Sequence, residues 1–291
     1  MTGVLLVRLS AMGDLVQSLG AVASLHAVRP DWRVTFVTQR EWAPLLQGVP
    51  GVARVVAFDR RGGLGAVWRV RRALAAERYR FALDLQGNWK SALLTWLSGA
   101  RDRIGMAADW RQEPASRWLL RRTITCAATP HPARAAWELV RSIAPDAAFS
   151  LPHLRATAAE LAAERSWLER AGLDPVRPFR VVIGVDPRDP RALRPERVAR
   201  LCRESQAVLL LGPDERGLGF AAPRVLTHGP GEVRRLVALG NAVAAAGGEV
   251  VGPDCGATHV LLAAGARGRV LFGSQDPRRT APPTATALVG A

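Results

Sequence analysis

Val4-Leu5-Leu6-Val7-Arg8-Leu9-Ser10-Ala11-Met12-Gly13-Asp14-Leu15-Val16-Gln17-Ser18-Leu19 passes from an apolar, strand-like run into a helical pattern through one small, glycine-containing turn. A strand that is apolar at successive positions is buried on both faces, as in a parallel sheet covered by helices. In open sheets of that kind, ligands sit outside the carboxyl ends of the strands, where such turns lie. Asp14, the first acid of the chain, therefore stands at a ligand-facing edge and at a helix N-terminus. Two uses of it fit that position. It can satisfy the free N–H groups of the helix, or it can take a proton from a substrate.

The same strand–helix alternation continues outward. Strands are predicted at 33–38, 52–58 and 81–85. Helices are predicted at 15–28, near 41–47, from about 65 to 77 by their periodicity, and from Lys90 to Leu97. Pro145, Pro152, Pro175 and Pro178 then flank a helix at 157–172, after which the pattern restarts. Strands at 181–185, 207–211, 249–251 and 269–272, the last expected, alternate with helices at 195–204, 231–246 and 256–264. The spacing predicts βαβ units and parallel sheets in both halves. The division expected is a Rossmann-like domain at 1–150, a linker helix region at 151–178 and a second Rossmann-like domain at 179–291.

Composition narrows the class. Hydrophobic residues make up 48% and charged residues 22%, as in ordinary globular proteins. No apolar run approaches the roughly 20 residues of a membrane span, and Arg8 interrupts the only N-terminal apolar segment. Three scattered cysteines, Cys126, Cys202 and Cys255, form neither a disulfide framework nor a metal-binding pair. A cytoplasmic location and no metal are expected. The net charge is +15, and residues 1–150 hold 20 Arg and the single lysine, Lys90, against 11 acids. An arginine-rich coding bias accounts for part of that charge, and its uneven spread points to the N-terminal half as the side that would meet any anionic partner. No RNA- or DNA-binding pattern accompanies it, so nucleic acid is not expected. All nine tryptophans lie at or before Trp167 and are expected mainly in the core or between helices, with a membrane-facing or acceptor-lining role for some as the minor alternative.

Phosphate-loop, GxGxxG, GxSxG and DxD patterns are absent. What remains is chemistry run by acids, cations and backbone amides. Four clusters could carry it: Arg8, Ser10, Gly13 and Asp14; Asp84-Leu85-Gln86-Gly87-Asn88-Trp89-Lys90-Ser91; the polar loop Gly105-Met106-Ala107-Ala108-Asp109-Trp110-Arg111-Gln112-Glu113-Pro114; and Gly252-Pro253-Asp254-Cys255-Gly256-Ala257-Thr258-His259, in which Gly256 opens a helix. A helix N-terminus offers N–H groups to a phosphate.

In this order and register, these segments resemble glycosyltransferase family nine, the ADP-heptose lipopolysaccharide heptosyltransferases. His131 with Trp137-Glu138-Leu139, and Phe272-Gly273-Ser274-Gln275-Asp276-Pro277, extend the resemblance over most of the chain. It implies a GT-B fold, two Rossmann-like doubly wound domains facing across a cleft. It also implies an inverting, metal-independent transfer, with no cofactor beyond the ADP-sugar co-substrate. Asp14 falls on the family's general base, so the resemblance favours base over cap. Arg8, Ser10, Gly13, Lys90, Arg111 and Glu113 then serve an anionic, lipid-linked glycan acceptor. Pro187, Arg188, Arg191, Glu215, Asp254, Cys255, Gly256 and His259 fall on the side of the nucleotide-sugar donor. Peripheral contact with the inner membrane is implied as well.

The chain departs from the family's pattern on the donor side. In Asp186-Pro187-Arg188-Asp189-Pro190-Arg191, Arg191 stands where a phosphate-binding lysine is expected, and Pro187 replaces a small hydroxyl residue and removes a backbone donor. Cys255 replaces a threonine, and no closing helix is expected between Pro283 and Ala291. A second reading follows from these departures: a donor-altered or non-catalytic sugar-nucleotide or glycan binder on the same fold.

Overall fold

In the computed structural model, the opening stretch folds as its pattern predicts: strand β1 (Gly3–Val7), a turn, then helix α1 (Met12–Val28). The structure describes all residues except 127–130, 187, 190, 204–205, 213–214, 216–221, 223, 230–231, 274–275 and 290–291. The chain divides into two compact units, Met1–Pro152 and His153–Ala291.

The first unit continues with β2 (Arg33–Gln39), β3 (Val52–Phe58), α2 (Gly63–Leu74), β4 (Phe81–Asp84), α3 (Trp89–Leu97), β5 (Asp102–Met106), β6 (Arg122–Ile124) and α4 (Pro132–Arg141). Its sheet runs β3-β2-β1-β4-β5-β6, parallel throughout. Val4, Leu5, Leu6 and Val7 are fully buried because helices cover both faces of β1. Helices α1 and α4 pack together. On another side, α2 and α3 bury Ala66, Val70, Leu74 and Leu94 in one cluster with Leu5, Val7 and Val56. Each fully buried leucine or valine contributes about 1.5–3 kcal/mol relative to exposure.

The second unit begins with α5 (Ala158–Arg170), followed by β7 (Arg180–Gly184), α6 (Pro195–Arg203), β8 (Ala207–Leu211), β9 (Val225–Thr227), α7 (Val233–Ala245), β10 (Glu249–Pro253), α8 (Gly256–Ala263), β11 (Arg267–Phe272), α9 (Pro277–Thr280) and β12 (Thr286–Val289). Its order, β12-β11-β10-β7-β8-β9, is again parallel and repeats the connectivity of the first sheet. Both are the doubly wound Rossmann order, in which the winding reverses between the first and fourth strands. Those switch points lie between β1 and β4 in one unit and between β7 and β10 in the other.

Several expectations are corrected. Residues 105–106 belong to strand β5, and the polar segment after them forms 3₁₀ turns at Ala108–Trp110 and Pro114–Leu119. Strand β11 is not the last, since the β-branched and apolar residues after the proline pair extend the sheet as β12. None of the nine tryptophans is buried, and Trp68, Trp89, Trp96 and Trp118 are exposed. The helix read as a linker, α5, is built into the second unit against α7. Glu160 and Glu164 on α5 pair with Arg234 and Arg235 on α7.

That last contact gives a testable pH dependence. The hydrogen bond from Arg234 holds Glu160 at about 2, below its ordinary value of 4.5. A carboxylate depressed on folding stabilises above its unfolded value and loses that contribution as pH falls through the folded one. The pair is partly exposed, so Glu160→Gln should cost only about 1 kcal/mol at neutral pH. In chemical denaturation at a series of pH values, the difference between variant and parent should shrink as pH falls from 4.5 to about 2.

Candidate active site

The carboxyl ends of β1 and β4 are tied together side chain by side chain. Gln86, two residues past β4, accepts from the Leu9 N–H (2.8 Å) and the Ser10 N–H (3.4 Å), and its Nε2 donates to Ser10 Oγ (3.1 Å). Arg8 donates through Nη1 to the Leu85 carbonyl (2.5 Å) and through Nη2 to Asp14 Oδ2. Asp14 is the third residue of α1, whose N-cap is Ala11 with no side-chain cap bond. The carboxylate is therefore held by Arg8 instead of closing its own helix. Oδ2 faces Arg8, and the Asp14 side chain keeps 27% of its exposure where Arg8 keeps 7%. Arg8 thus orients Asp14 from behind. Gly13, the second residue of the helix, is buried.

Behind this edge lies a buried ion pair. Arg111 Nη2 donates to Asp84 Oδ2 at 2.6 Å, and both side chains are fully buried. Asp84 Oδ1 accepts from the N–H groups of Gln86 (3.1 Å) and Gly87 (3.0 Å). Arg111 also donates to Ser116 Oγ. Gly87 has φ of 80°, and a Cβ there would come within 3.1 Å of the Arg111 backbone, so the turn requires glycine. Arg111, expected at the acceptor, instead fixes the loop that carries Gln86.

Lys90 is exposed in the first turn of α3. The helix is closed by a capping box, in which Ser91 N–H donates to Asn88 Oδ1 (2.9 Å) and Asn88 N–H donates to Ser91 Oγ (3.1 Å). Glu113 Oε2 accepts from the Trp89 N–H at 2.5 Å, which joins the loop after β5 to α3. A cation in a first helical turn works against the helix dipole. The Glu113 carboxylate and the Asn88 side chain already take the N–H groups of Trp89 and Ser91, which leaves the exposed Lys90 ammonium as the group of this corner that can meet an anion.

The second switch point has its own network. His259 Nε2 lies 2.8 Å from Asp254 Oδ1, and Thr280 Oγ1 donates to Asp254 Oδ2 at 2.7 Å. Burial alone would raise the Asp254 carboxyl, but the hydrogen bonds from His259 and Thr280 outweigh it and hold it below the usual range. Cys255, not Asp254, is the N-cap residue of α8, and Gly256 opens the helix. Cys255 Sγ lies 3.3 Å from Thr258 Oγ1. Arg191 is held by Asp189 through two bonds (2.9 and 2.6 Å), and its Nη1 donates to the Asp254 carbonyl at 3.2 Å. It therefore joins the loop after β7 to the end of β10.

Arg188 is exposed and paired with Asp186. Glu215 stands apart from this network, on the loop after β8, where its N–H donates to the Gly212 carbonyl at 3.4 Å. Pro187 lies outside the described residues. Three groups emerge only in three dimensions. Gln86 and Asp84 sat within a recognised cluster, but nothing in the sequence marked them as its organisers. Thr280 meets Asp254 from 26 residues away and left no local signal.

The sequence model described as glycosyltransferase family 9 (heptosyltransferase) matches residues 67–167. Lipopolysaccharide heptosyltransferase 1 of Pseudomonas aeruginosa is 27% identical, over 94% of this chain and 79% of its own length. Among solved structures, the glycosyl transferase family 9 protein of Veillonella parvula superposes with a TM-score of 0.85 at 17% identity, covering 99% of this chain and 85% of that one. E. coli heptosyltransferase WaaC with ADP superposes with a TM-score of 0.76 at 21% identity, covering 100% and 94%. The two structures share the fold of this chain.

Proposed function

We propose, from this chain's membership of glycosyltransferase family 9, that it moves a heptose or related sugar from an ADP-sugar onto an anionic, lipid-linked acceptor of lipopolysaccharide-core type. It is a glycosyltransferase. The finer reading is an inverting transfer that needs no metal, carried out at the cytoplasmic face of the inner membrane. One observation carries it: Asp14 stands at a sheet switch point with its carboxylate turned to Arg8 instead of capping α1. This supports the reading because a carboxylate is held where a ligand of such a sheet lies.

In this reaction Asp14 accepts the proton of the acceptor hydroxyl as its oxygen attacks the anomeric carbon, and the C–O bond to the diphosphate breaks on the opposite face. Lys90 draws the acceptor's anionic group. In the second unit the Gly256 end of α8 receives the diphosphate, and Arg191 adds a positive charge beside it. Asp254 fixes His259 and Thr280 at the same edge. Mass spectrometry of the surface glycan from a deletion strain tests the assignment. A core lacking one heptose supports it, and an unaltered glycan refutes it.

The altered loop of Asp186 to Arg191 favours one other reading, a binder that holds the sugar nucleotide without turnover. Donor affinity bears on both. Replacing Asp254 by Asn removes the charge that organises His259 and Thr280. ADP-heptose should then bind about 10-fold more weakly in calorimetric titration, the loss of roughly one charge-assisted hydrogen bond. Unchanged affinity would take Asp254 out of the donor site.

A further inference from the structure

The amino-terminal ends of β7, β10, β11 and β12 border a half-open cleft of about 590 Å³ in the second unit. Its walls include Arg180, Glu249, Arg267, Arg269, Thr284 and Thr286. The volume is that of a small-molecule site. It lies at the opposite edge of the sheet from Asp254, which follows the carboxyl end of β10 (Glu249–Pro253). At about 3.3 Å per strand residue, roughly 17 Å of chain separates Glu249 from Asp254. A ligand in this cleft is therefore not the one held at the Asp254 edge.

Three arginines meet a single carboxylate there. Arg180, Glu249 and Arg267 pair in register across neighbouring strands, and Arg269 lies two residues beyond Arg267, on the same face of β11. Arg180 donates to Glu249 Oε1 through Nε (2.7 Å) and approaches it through Nη2 (2.6 Å). Arg269 Nη2 donates to the same oxygen at 2.8 Å. Arg267 is exposed and has no ion-pair partner among the described residues. The row thus carries three positive charges against one negative. Arg269 Nε is buried without an acceptor, so the protein does not satisfy this guanidinium by itself. The cationic row is also sharply bounded. Val182, Val251 and Leu271, two residues further along the same strands, are buried with Val198 and Cys202 of α6.

An excess of two positive charges selects among anions. A phosphate monoester carries about −1.5 to −2 at neutral pH and presents three acceptor oxygens. Guanidinium forks bind such oxygens in pairs, and the hydroxyls of Thr284 and Thr286 add donors at the rim. A lone carboxylate would leave one cation uncompensated. The cleft is larger than a phosphate ion, which leaves room for an organic body attached to it.

We propose that this cleft binds a phosphate monoester of a small metabolite, with Arg267 and Arg269 on the phosphate and Arg180 held beside them by Glu249. The assignment is independent of the transfer reaction and stands whether or not the chain turns over a sugar nucleotide.

The test is calorimetric titration of the full chain with glucose 6-phosphate and with inorganic phosphate, both in saturating ADP to keep them from the α8 edge. Glucose 6-phosphate should bind at one equivalent with a Kd of ~1 mM or tighter. Glucose should not bind, and glucuronate should bind about 10-fold more weakly, for want of one charge-assisted hydrogen bond. Arg267→Ser removes an exposed, unpaired side chain and should weaken glucose 6-phosphate about 10-fold with Tm unchanged. Adding Arg269→Gln should abolish saturable binding. Arg191→Ser, at the other edge of the sheet, should leave affinity within about twofold. Should the double variant fold poorly, Arg267→Ser alone decides. No saturable binding of either phosphate compound, glucuronate binding as tightly as glucose 6-phosphate, or full affinity in Arg267→Ser overturns the proposal. So does binding that Arg191→Ser removes, which would assign the phosphate to the Asp254 edge.

Discussion

Asp14→Asn should abolish transfer while leaving the donor bound. The amide keeps the shape of the carboxylate, and its oxygen still accepts from Arg8, so the turn after β1 should persist. What is lost is the group proposed to take the proton. Removing a positioned general base typically costs about 10²- to 10⁴-fold in rate. ADP-heptose affinity should stay within about twofold, since the proposed donor groups lie in the second unit, and a change that small is well under 1 kcal/mol. The two readouts separate roles. A residue that only held the turn would lower thermal stability and donor-independent folding together with the rate. Asp14→Asn should lower kcat alone, and Asp14→Glu should recover part of it. Unimpaired turnover in the Asn variant would remove Asp14 from the chemistry.

The second large effect is on stability. Asp84→Ala leaves the guanidinium of Arg111 without its carboxylate in a position where neither side chain reaches solvent. Taking one partner from such a pair costs about 3–5 kcal/mol, against roughly 5–15 kcal/mol for a whole domain. The N–H groups of Gln86 and Gly87 lose their acceptor at the same time. The first unit should therefore unfold at markedly lower denaturant in equilibrium unfolding followed by circular dichroism. Asp84→Leu combined with Arg111→Met should lose less than Asp84→Ala alone, because no unpaired charge remains in the interior. A cost below about 1 kcal/mol for Asp84→Ala would mean that Arg111 escapes to water. It would also weaken the role assigned to Gln86, whose turn depends on Asp84.

How legible these features were follows from their physics. The stretch from Val4 to Leu19 announced itself because a strand buried on both faces is apolar at every position, and such a run ends abruptly where the chain must turn. Asp102–Met106 gave no such run, since its first two residues are charged, and β6, β9 and β12 are three or four residues long. Strands that short are specified by the neighbour they pair with more than by their own letters. The clusters around Asp14, Lys90 and Asp254 were legible as candidate sites because each follows a strand and opens a helix. Their division of labour was not. That Arg111 is held by Asp84 depends on an ion pair across 27 residues, and that Thr280 meets Asp254 depends on the return of the chain through α9. The tryptophans misled for a related reason. Trp89 and Trp96 share a helix face, and Trp68 stands among arginines at helical spacing. Hydrophobicity alone assigns such residues to a core, whereas their cationic neighbours indicate the outer side.

The central claim is that a base at one switch point and a sugar-nucleotide site at the other serve a single transfer. Its most direct test is to incubate the purified chain with ADP-heptose and a lipid-anchored core acceptor in the presence of a metal chelator, and to follow the acceptor by mass spectrometry. The expected result is an acceptor heavier by one heptose, one ADP released for each, and an anomeric configuration inverted from that of the donor. ADP-heptose that binds but is never consumed would contradict it.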